Sequence, residues 1–109
     1  MSLEYGEKST VYDHVSFTVA TGTTDYDVQA NNASWLSSIK ASHGVAVCGK
    51  IRLVTNQTIT VKFNSTGADG IVVTSSESPF VIDELVIRNM YISNTSGNLA
   101  NVKITQFLI

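Results

Sequence analysis

Two histidines, one cysteine and nine carboxylates are the stock from which this 109-residue chain could draw acid–base, nucleophilic or metal chemistry. His14 follows Asp13 in a run of period two, where neighbours point to opposite faces, so adjacency does not make the pair a dyad. A Ser-His-Asp site would have to be assembled through space. The chain has no glycine-rich phosphate loop and no zinc-ligand spacing, and Gly67-Ala68-Asp69-Gly70 reads as an ordinary loop. Asp25 and Asp27 offer two carboxylates, whereas a calcium ion takes roughly six to eight oxygens. They read as solvated turn residues, and Asp83-Glu84 as a turn between Ile82 and Leu85. Cys48 sits in the apolar run Val45-Ala46-Val47-Cys48, with no neighbour that would lower its pKa, and reads as an inert buried thiol. The expectation is of no catalytic, cofactor or metal site, and of a protein that is not an enzyme.

One ligand hypothesis has several residues behind it. Trp35 and Tyr26, with Tyr91 in support, could stack on apolar sugar faces while Asn31, Asn32, Asp25 and Asp27 reach the hydroxyls. The same residues suit a second reading, with Trp35 in the core and the tyrosines half-buried with wet hydroxyls. Four glycosylation-type triplets begin at Asn32, Asn56, Asn64 and Asn94, as chance provides in a chain this rich in Asn, Ser and Thr.

The stretch that organises the chain is Asn56 to Asn64. Ile59, Val61 and Phe63 alternate with Thr58, Thr60 and Lys62, the pattern of a strand with one dry and one wet face. Val15, Phe17 and Val19 repeat it over roughly 11–20, and Tyr26 with Val28 begins a shorter strand after the Thr21-Gly22-Thr23 turn. Residues 31–42 form the one candidate helix, with Asn32 as its cap and Gly44 ending it. Ile51 and Leu53 face one way in the run 50–55, and Asn56-Gln57 would join it to 58–63 as a hairpin. Leu85 and Ile87 share one parity, Met90 and Ile92 the other, which predicts a bulge or a crossing between sheets near Arg88-Asn89. The last strand, 100–109, sets Val102, Ile104 and Leu108 against Phe107 and Ile109. Eight or so short strands with frequent turns predict an all-β antiparallel sandwich of jelly-roll type, or a partly closed barrel, with at most one short helix. Residues 11–109 make one domain; residues 1–10 read as a mobile arm, with Met1-Ser2-Leu3 set aside as a cloning remnant.

Net charge is −2 and charged residues are 15% of the chain, below the roughly 25% usual for soluble domains. The seven cations are scattered, which argues against nucleic acid as a direct ligand. No apolar run is long enough to cross a bilayer, and the first residues lack a signal-peptide core. A single cysteine permits no internal disulfide and is compatible with folding in a host cytoplasm. Low charge also weakens the usual protection of strand edges, which favours association. Phe107, Leu108 and Ile109 are the candidate interface; they would equally finish the protomer's own core.

Several runs together resemble small structural proteins of tailed bacteriophage particles. They are Ile59 to Ser65, Ser78-Pro79-Phe80, Ile92 to Gly97 and Ala100 to Ile104, over roughly the last half of the chain. The resemblance implies a virion building block such as a decoration, connector or tail protein. Its partners would be copies of itself and other virion proteins, with no cofactor and no active-site residues.

Overall fold

The alternation of Val15, Phe17 and Val19 with polar neighbours produces strand β1, Tyr12–Val19, in the computed structural model of the chain, which describes residues 12–32, 35 and 48–107. Gly22 turns the chain with φ +82°, a left-handed conformation that glycine adopts without a Cβ clash. Strand β2 then runs over Thr23–Asp27 and a single helical turn, α1, over Val28–Asn31. The remaining strands are β3 (Cys48–Thr55), β4 (Ile59–Phe63), β5 (Ile71–Val73), β6 (Phe80–Ile87), β7 (Met90–Asn94) and β8 (Ala100–Phe107).

These strands form two four-stranded sheets, ordered β1-β8-β3-β6 and β2-β7-β4-β5. Every pairing is antiparallel. Among strands consecutive in sequence, β4 and β5 alone pair with each other; each other step carries the chain from one sheet to the other. That connectivity makes the sandwich a jelly roll, as the strand pattern predicts.

Several local expectations give way to the tertiary arrangement. The strands over 50–55 and 58–63 are not a hairpin: β3 pairs with β6 and β8, and β4 with β5 and β7, so Asn56 to Thr58 is a crossing between sheets. Val28 does not extend β2, because Asp27 caps α1 by accepting a bond from the Ala30 amide at 3.0 Å. Asn32 closes that turn as its C-cap instead of opening a longer helix; the helix expected over 31–42 otherwise lies almost wholly outside the described residues. Asp83-Glu84 is no turn, since β6 runs through it with a register shift opposite β3. The predicted change of apolar face at Arg88-Asn89 is the crossing from β6 in one sheet to β7 in the other.

The core lies between the sheets. Val15, Val19, Ile51, Leu53, Val102 and Ile104 of the first meet Ile59, Val61, Val73, Met90 and Ile92 of the second. Burying each side chain of this size stabilises by about 1.5–3 kcal/mol. Phe17 on β1 and Tyr26 on β2 stack with centroids 5.1 Å apart and planes 10° from parallel, which sets these two edge strands on one flank. By the same order, β5 and β6 are the edges of the opposite flank.

Candidate functional site

The proposed sugar-binding residues come together at α1, but not as an open face. Trp35 is 2% exposed and belongs to the core cluster, with its indole Nε1 donating to Oε1 of Gln106, itself buried. An indole enclosed in this way presents no face for a sugar ring. Tyr26 stacks on Phe17, and its hydroxyl lies 3.2 Å from Asn32 Nδ2. That amide also donates to the Val28 carbonyl at 2.9 Å, while Asn31 Nδ2 donates to the Asp27 carbonyl at 2.8 Å. Asp27 Oδ1 accepts from Asn89 Nδ2 at 2.8 Å as well as from Ala30. Polar groups that would meet a glycan are committed to holding the helical turn against β7.

Asp25 sits at φ +53° where β2 slips register against β7. Its Oδ1 is enclosed and faces Lys62 Nζ at 3.2 Å, a charge contact without the direction of a good hydrogen bond. Lys62 Nζ also donates to the Thr66 carbonyl at 3.0 Å, so one lysine ties β2 to the loop after β4. Asp25 and Asp27 are thus engaged in separate structural contacts. No group of three or more His, Cys, Asp or Glu that could hold a metal ion occurs among the described residues.

His14 lies on the exposed outer face of the first sheet, with Nδ1 3.1 Å from Thr105 Oγ1 and Nε2 3.3 Å from Ser16 Oγ. A shallow depression beside it is lined by Ser16, Phe17, Thr18, Asn101, Val102 and Lys103.

Of the candidate interface residues, Phe107 is half-buried at the end of β8, between Tyr12 of β1 and Lys50 of β3. The Lys50 ammonium stands 6.0 Å from its ring centroid. Leu108 and Ile109 lie outside the described residues. Among the described residues, the exposed large apolar side chains are elsewhere: Val72 at 59%, Val81 at 48%, Val86 at 54% and Leu99 at 51%. The first three occupy β5 and β6, the edge strands of one flank. From its sequence the all-apolar run 71–73 reads as a short strand buried on both faces, yet Val72 is exposed, because no described element covers the outer face of the second sheet there.

No family model matches the chain, and no curated protein does. A solved structure with some likeness is that of the Bacillus endospore appendages, described as a novel family of disulfide-linked pili. The likeness has a TM-score of 0.45 and 19% identity over 100% of this chain and 98% of that one. At that level it carries no inference about role or site.

Proposed function

We propose that this protein is a non-enzymatic structural subunit that works by associating with copies of itself. The observation that carries this reading is the exposure of Val72 on β5 and of Val81 and Val86 on β6, two strands that, among the described residues, have no partner on their outer side. Strand edges are where proteins normally place Lys, Pro or charge to prevent pairing with another chain. Here Val72, Val81 and Val86 face outward and are β-branched, with Asp83 the one described charge exposed on β6, which favours cross-strand packing once a partner strand arrives.

The setting we propose is a tailed-phage particle, with sister virion proteins as further partners. Support comes from the strand texture of residues 59–65, 78–80, 92–97 and 100–104. Assembly around a particle repeats one contact many times, and a weakly charged sandwich with an apolar flank suits such repetition. Sedimentation and light scattering of the purified chain test the core of the proposal. Assemblies larger than the 11.8 kDa protomer are expected; a strict monomer at high concentration overturns it.

A further inference from the structure

Resting on the self-association just proposed, we infer that copies join head to tail, with β6 of one molecule pairing antiparallel to β1 of the next. The two edges agree in length, with β1 regular throughout and β6 shifted in register between Asp83 and Ile87. Both β1 and β6 are eight residues long and bound the same sheet. Because all pairings in that four-stranded sheet are antiparallel, its two edge strands run in opposite directions. A second copy displaced sideways, without being turned over, therefore meets β6 with an antiparallel β1 and continues the alternation.

Among the described residues, no strand lies on the outer side of β1. Tyr12–Val19 contains neither Lys nor Pro and pairs with β8 over its whole length without a register shift. The second sheet behaves alike: β2 lies on the β1 flank and β5 on the β6 flank, again antiparallel to each other. One head-to-tail contact would thus extend both sheets together. It would also set neighbours beside Val72, Val81 and Val86, which the rival β1-to-β1 dimer leaves in water. Such a contact is heterologous, so it propagates into an open chain or closes into a ring, whereas the rival stops at two.

Register identifies the positions to probe. His14, Thr105, Arg52 and Val81 form one row across the outer face of the first sheet, with His14 at one edge and Val81 at the other. The experiment compares His14→Cys, Val81→Cys and the double variant in the full chain with Cys48→Ser, so that no native thiol reacts, each checked for native circular dichroism and treated with a short bis-maleimide. The double variant is expected to give a ladder of covalent oligomers, several-fold above either single variant. Covalent dimers from His14→Cys alone, at the level of the double variant, would assign the contact to β1 against β1 and overturn the inference. Assemblies that scatter light yet yield no ladder would also overturn it while leaving self-association standing. A wild-type monomer would remove both.

Discussion

Asn94 holds two turns at once. It is fully buried on β7, with Nδ2 donating to the carbonyls of Val19 and Asn98 at 2.8 Å each and Oδ1 accepting from the Ser96 amide at 3.0 Å. Truncation to Ala would strand these groups where water does not reach, and a buried unmet partner costs about 1–3 kcal/mol. Asn94→Ala is therefore expected to lose about 2–4 kcal/mol in urea unfolding, near the upper range for a single substitution. The other triplet asparagines have comparable posts. Asn64, at φ +70°, accepts from the Arg88 amide at 2.7 Å and donates to the Val86 carbonyl at 2.8 Å, pinning the crossing from β6 to β7. Asn56 Oδ1 accepts from the Asn101 amide at 2.8 Å, and Asn32 ties α1 to Tyr26. Of the residues that read as chance glycosylation triplets, Asn56, Asn64 and Asn94 thus tie together segments 22 to 75 positions apart, while Asn32 holds a local turn. Trp35 belongs to the same scale. Its emission should be blue-shifted in the free protein and indifferent to a panel of glycans. Trp35→Phe should cost about 1–3 kcal/mol, because Gln106 Oε1 loses its donor while Nε2 already lacks an acceptor. A red-shifted emission quenched by a sugar would restore the glycan reading.

Among the elements, β4 shows how far local pattern reaches. Ile59 and Val61 are buried and Thr60 is only half-covered, as the alternation predicts. The cover over Thr60 comes from the returning loop. A Cβ on Gly70 would stand 2.5 Å from Thr60 Cγ2, well inside contact distance. Gly70→Ala should therefore push the loop off β4 and destabilise the fold by about 1–3 kcal/mol, the range for overpacking. Gly67, whose added Cβ would meet nothing nearer than 3.6 Å, is the matched control and should tolerate Ala in the same thermal melt. The elements that the sequence misplaced share one cause. The runs 50–55 and 58–63 look like a hairpin because two alternating segments are joined by a short polar link. Choosing hairpin or crossing depends on which sheet needs each apolar face, and that is a long-range matter. Likewise Asp83-Glu84 has the polarity of a turn, yet β3 holds it in a strand through a shifted register.

At the scale of the whole molecule, association should respond to the flank and not to the sheet interior. Val81→Lys places a charge on the exposed row of β6 and is expected to reduce sedimenting assemblies at least tenfold while shifting unfolding by less than about 0.5 kcal/mol, as for other exposed positions. Phe107→Asp is the contrast, because β8 is an inner strand of its sheet. Head-to-tail pairing predicts that it leaves the assembly mass unchanged, whereas dissolution of the assemblies would return the interface to the closing segment around 107–109.

What the sequence by itself determined is the alternation: a period of two fixes which side chains want a dry face, and enough such runs in one short chain demand two stacked sheets. What the tertiary structure decided is the order of the strands, and with it which edges stay open, which asparagines bridge sheets and where Trp35 goes. Strand order is set by pairing between residues far apart in the chain, through hydrogen bonds that every backbone offers alike, so no local pattern of side chains encodes it.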